Sequence, residues 1–133
     1  MASFGWQTWN SAPFGIERRR GNAPGTVIMR LSGPLTVRDV YSALSPIELN
    51  NLIDSPPEPG QEPPVKYILD LTACPYIDSS GLGLVATQYV RCQRNGIKMI
   101  AVGASPRVRE VLKLTKLDSI VPIFATLEEA ESA

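Results

Sequence analysis

Apolar and polar positions fall into short blocks whose period switches between two and about 3.6 residues, the signatures of strand and helix. Phe14 and Ile16 alternate with Glu17 and Arg19, which predicts a strand over 14–20 at a sheet edge, with the Arg18-Arg19-Arg20 cluster as a solvated face. Gly21 to Gly25 is turn chemistry. Val27, Met29 and Leu31 alternate with Ile28 and Arg30 in a second strand that ends at Ser32-Gly33-Pro34, so the first pair reads as an antiparallel hairpin. From Thr36 to Ile53 the period turns helical. Ser45-Pro46 interrupts it and restarts it as cap and first helical residue. Val40, Leu44, Ile47 and Leu52 supply the apolar face.

Ser55 to Pro64 holds five prolines and a glycine, which predicts an extended, semi-rigid surface loop between helix and sheet. Tyr67 to Leu71 is a buried strand, and Pro75 bars its continuation. The next helix carries Leu82, Val85, Ala86 and Tyr89 on one face and stops at Asn95-Gly96. Ile97 to Val102 is a strand. Pro106 follows Ser105 into a helix with Val108, Val111, Leu112 and Leu114 as its apolar face. Leu117 and Ile120 lead to a last strand over 121–124, and Thr126 caps a short helix with Glu128 and Glu129 in its first turn. Before all this, residues 1–13 carry Phe4, Trp6 and Trp9 without sustained periodicity. They form a tail or a short added strand, or else an aromatic contact surface. The alternation predicts a single α/β domain over 14–133, with a mixed, mostly parallel sheet of about five strands and about four helices joined by right-handed crossovers.

One corner carries candidate chemistry. Asp78, Ser79 and Ser80 can each accept hydrogen bonds from the free N–H groups that open a helix. Gly81 and Gly83 cost roughly 1 kcal/mol each inside a helix relative to Ala. Capping explains the serines. It does not explain two glycines in the first turns, which suggest that something approaches the backbone closely.

Composition narrows the chemistry. The 133 residues hold thirteen basic and thirteen acidic side chains, so no net field draws the chain to nucleic acid or an anionic membrane. There is no apolar run long enough to span a bilayer, and no export signal is evident. Cys74 and Cys92 lack metal or redox spacing, and Cys92 suits a core position at helical spacing from Val85. A reduced, cytoplasmic setting is expected. The absence of histidine removes a Ser-His-Asp triad and the commonest zinc ligand. A Gly-x-Ser-x-Gly elbow and a P-loop are also missing, so neither hydrolysis nor nucleotide binding is expected.

The run LDLTACPYIDSSGLGL, with GIKMIAVGASPRVREVLKLTKLDSIVPIFATLEEA after it, resembles the STAS domain of bacterial anti-sigma factor antagonists. The likeness covers roughly Val65 to Ala130 well and the first half loosely. It implies a STAS domain over 14–133, with Ser79 as phosphoacceptor and Asp78, Ser80, Gly81, Gly83 and Thr36 in a partner-binding loop. Thr36 stands where members of the family often carry an acid, and the proline-rich loop and aromatic N-terminus are additions. The resemblance further implies a binder rather than an enzyme, with no cofactor and no metal. Its unphosphorylated form would hold an anti-sigma factor that is also a serine kinase, and so free a sigma factor. Phosphorylation of Ser79 would break that complex, and a serine phosphatase would reset it. The alternative is a constitutive STAS scaffold in a stress-signalling or transport-associated complex.

Overall fold

Alternation along the strands sorts side chains onto two unequal faces of one sheet. The computed structural model describes residues 7–54, 60 and 62–133. Among these residues six strands lie side by side in chain order: β1 (Gln7–Ser11), β2 (Phe14–Arg20), β3 (Thr26–Ser32), β4 (Lys66–Ala73), β5 (Lys98–Val102) and β6 (Ile123–Phe124). β1, β2 and β3 pair antiparallel, and β3 to β6 pair parallel. The α-helices among the described residues are α1 (Val37–Ala43), α2 (Pro46–Asp54), α3 (Ser79–Arg94), α4 (Pro106–Leu114) and α5 (Leu127–Ser132). The α/β class with a mixed, mostly parallel sheet is as expected, with one strand and one helix more than the pattern predicted.

The larger face carries Phe14, Ile16, Met29, Leu31, Leu69 and Met99, and helices α1 to α4 close over it. Each fully buried Leu or Ile there contributes about 1.5–3 kcal/mol relative to exposure. The opposite face buries a smaller apolar cluster, Ile28, Ile68, Ile100 and Val102, with Ala130 of α5. Beyond α5 that face turns polar, with Arg30 paired to Glu17 at 3.2 Å. Cys92 is fully buried in the larger core. Burial pushes its thiol up to about 12, so it stays protonated at neutral pH.

Several expectations need correction. β2 is not an edge strand, because residues 7–11 of the N-terminal stretch pair along it as β1. Trp9 is half-buried against the core rather than displayed, while Phe4 and Trp6 lie outside the described residues. Most of the proline-rich segment, residues 55–59 and 61, also lies outside them. Ile47, at the exposed start of α2, is 72% accessible, and Leu49, Leu52 and Ile53 form the buried face instead. Leu114 is 75% accessible, because α4 ends there and turns it away from the sheet. The last strand shrinks to two residues, since Pro122 has no N–H to give a ladder.

Arg18 is the largest departure from a solvated arginine cluster. It shares parity with Phe14 and Ile16 and is only 6% accessible. Its guanidinium donates to the Leu52 carbonyl at 3.1 Å and to Gln7 Oε1 at 2.8 Å, and lies 5.7 Å from the Trp9 ring centre. One buried cation therefore caps the last turn of α2 and fastens β1 to the sheet. Desolvation lowers its pKa, and the neighbouring Tyr67 opposes that shift.

Candidate functional site

β4 ends at Ala73, before Pro75, and the chain then has five residues in which to turn into α3. A second segment guides that turn. Leu35, just ahead of α1, forms a parallel bridge with Ile77. Its N–H donates to the Tyr76 carbonyl at 3.0 Å, and its own carbonyl accepts the Asp78 N–H at 3.4 Å. The corner is therefore built by two strand-to-helix connections that run side by side.

The four residues of the corner do different work. Asp78 is the N-cap of α3, accepting the Gly81 N–H at 2.9 Å and the Ser80 hydroxyl at 2.7 Å. The Ser80 hydroxyl and the Gly81 amide hold the Asp78 carboxyl below the usual carboxylate range, so it is anionic at neutral pH. Ser80 Oγ also accepts the Val37 N–H at 3.0 Å, which ties the first turn of α1 to that of α3. Gly81 is buried, and a Cβ there would collide with the Leu35 carbonyl. The close approach that its presence suggested is made by the chain itself.

Ser79 and Gly83 are left over. Ser79 is the first residue of α3, exposed, and its hydroxyl makes no hydrogen bond to another described residue. Gly83 is exposed, with nothing within 4 Å of where its Cβ would stand. Thr36 lies beside the corner but is 7% accessible. Its hydroxyl caps α1, accepting the Asp39 N–H at 3.0 Å and donating to Asp39 Oδ2 at 2.8 Å. Thr36 thus shapes the loop from beneath, and its side chain is already committed.

Two contributors escaped the residue pattern. Leu35 is one, and only the burial of Gly81 betrays its role. Arg107 is the other: its guanidinium lies 5.4 Å from the ring centre of Tyr76, the exposed aromatic three residues before Ser79. Nothing in local periodicity links α4 to that loop. The two are neighbours because β4 and β5 pair in parallel and deliver both at one edge.

What such a corner can do is carry charge. A helix N-terminus with a free hydroxyl tolerates an added phosphate, whereas the cap and the tether beside it are already satisfied. Among the described residues no helix is long and apolar enough to cross a membrane.

An anti-sigma factor antagonist from Mycobacterium paratuberculosis is 25% identical over 92% of this chain and 96% of its own, with a TM-score of 0.66. The anti-sigma factor antagonist SpoIIAA in its unphosphorylated form is also 25% identical, over 90% of this chain and 93% of its own, with a TM-score of 0.65. A sulfate transporter family protein from Wolinella succinogenes shares the fold at 20% identity, a TM-score of 0.68, and coverage of 85% and 87%. The family model described as the STAS domain matches residues 19–130, and the chain therefore belongs to the STAS domain family.

Proposed function

We propose that this protein is an anti-sigma factor antagonist whose partner binding is switched off by phosphorylation of Ser79. The carrying observation is the division of labour at the corner. Ser79 is exposed with an uncommitted hydroxyl, while Ser80 holds Asp78 and the Val37 amide. Modifying Ser80 would sacrifice two hydrogen bonds, one within the α3 cap and one that joins α1 to α3. Modifying Ser79 sacrifices none.

The electrostatics fit a switch. A phosphate at neutral pH adds roughly −1.5 to −2 of charge to a surface where Asp78 is already anionic. A partner that packs closely on the corner would have to desolvate or repel that charge, at a cost of several kcal/mol. About 4 kcal/mol is a thousandfold in affinity. Exposed Gly83, one turn along the helix, leaves room for a partner's backbone or a kinase's nucleotide. The partners in this circuit are an anti-sigma factor with serine kinase activity and a serine phosphatase. The chain is their substrate and binder, not a catalyst, and acts in the cytoplasm. SpoIIAA has been solved in unphosphorylated and phosphorylated forms, which supports the comparison.

A constitutive scaffold is the second possibility, favoured by the likeness of fold to the sulfate transporter family protein. Incubation with native-cell extract and ATP, followed by phosphosite mapping, separates the two. The switch requires one phosphate on Ser79, absent from Ser79→Ala. No phosphate on the wild type, in an extract with demonstrably active serine kinases, would leave the scaffold.

A further inference from the structure

A positive charge stands in reserve beside the corner. Arg107, in the first turn of α4, is exposed, and among the described residues it makes no ion pair. Its guanidinium lies 5.4 Å from the ring centre of Tyr76, which is 37% accessible. An exposed cation over a ring is weakly held. The nearby Asp78 carboxylate does not claim Arg107, because it is occupied by the Ser80 hydroxyl and the Gly81 N–H.

Helical geometry turns Ser79 toward that charge. Gly81, Val85 and Cys92 are the buried side of α3. Ser80 Oγ meets α1 at the Val37 N–H, and Arg91 meets Asp54 of α2 at 3.2 Å, so one flank of α3 belongs to α1 and α2. Successive residues step about 100° round a helix. Ser79, one step back from Ser80, therefore projects away from the sheet and onto the other flank. That flank is where α4 packs, since Ile77 and Val85 line one apolar crevice with Leu112 and Leu117. Tyr76, next to Ile77 in the loop, meets Arg107 on the same side.

We propose that Arg107 receives the phosphate: when Ser79 is phosphorylated, the guanidinium leaves the Tyr76 ring and pairs with the phosphate oxygens. This rests on Ser79 being the phosphoacceptor. A guanidinium pairs with a phosphate through two parallel N–H···O bonds, which are stronger and more directional than its contact with a ring. The exchange gives the modification a second effect beyond added charge. It uncovers Tyr76, so a partner meets an altered surface at both residues.

The test uses the full chain with phosphoserine built in at position 79 during synthesis, and follows its phosphorus-31 resonance against pH. A cation beside the phosphate favours the dianion and lowers the second pKa, ordinarily about 6. Arg107→Ala should raise that value by about 0.5, the scale of an exposed ion pair, and Arg107→Lys by less. Tyr76→Ala should lower it by roughly 0.2, because the ring no longer competes, and should have no effect once Arg107 is replaced by Ala. A titration unchanged by Arg107→Ala, or a Tyr76→Ala shift that is missing or that persists without Arg107, would overturn the assignment. The phosphate is present from synthesis, so a cell extract that leaves Ser79 unmodified would defeat the proposed switch without altering this titration.

Discussion

Helices α3 and α4 start at the same edge of the sheet, each after a parallel strand, each with serine at the turn. At α4 everything is spent. Ser105 caps the helix by accepting the Val108 N–H at 3.2 Å, and Pro106 has no N–H to satisfy. At α3 the cap is Asp78, Ser80 serves the tether to α1, and Ser79 has no structural duty. Serine at a helix start is usually accounted for by capping. The difference between the two corners isolates the one serine for which that account fails.

Substitutions can break or sharpen this contrast, and unfolding in urea measures each. The largest effect belongs to Gly81→Ala, whose methyl meets the Leu35 carbonyl. It should cost about 3 kcal/mol, because backbone on both sides must shift. Asp78→Ala removes the α3 cap and should cost about 1–2 kcal/mol at neutral pH. That gap depends on pH. The folded Asp78 carboxyl titrates below its unfolded value of about 3.9, so its contribution is complete above that pH and fades as the pH falls further. Ser105→Ala should cost about 1 kcal/mol with no such fading, since no titrating group is involved. A flat gap for Asp78→Ala would break the distinction between the corners.

Gly83→Ala should act in the opposite direction to Gly81→Ala. With open space around it, the new methyl should stabilise α3 by about 0.5–1 kcal/mol. If Gly83 is kept for a partner, the same variant should bind that partner less tightly in a pull-down. The smallest stability change is expected for Ser79→Ala, within about 0.5 kcal/mol of wild type. It should nevertheless abolish phosphate incorporation. Measurable destabilisation by Ser79→Ala would show that its hydroxyl has structural work after all.

Much of the fold was legible because apolar period reports burial directly. β2, β3, α3 and β5 lie where alternation or helical spacing put them. The exceptions lie where strand parity or position in a helix outweighs residue type. Arg18 shares the side of the strand that carries Phe14 and Ile16, so the alternation pointed inward while its charge suggested solvent. Ile47 and Leu114 sit at helix ends, where an apolar side chain can point past the sheet. Gln88 falls at helical spacing between Val85 and Cys92, both buried, and its polarity hid it. At the corner, residue types marked the right stretch, but the roles of Ser79 and Ser80 depend on Leu35 and Val37. Those arrive from more than forty positions away in the chain, where no local pattern reaches.

The order of strands in the sheet repeats their order along the chain. As the chain leaves a ribosome, each strand therefore finds its neighbour already present at the growing edge. No strand has to be threaded between two that have paired. Synthesis from the N-terminus can lay the sheet down one strand at a time, with β1 and β2 waiting as the template on which the parallel half assembles.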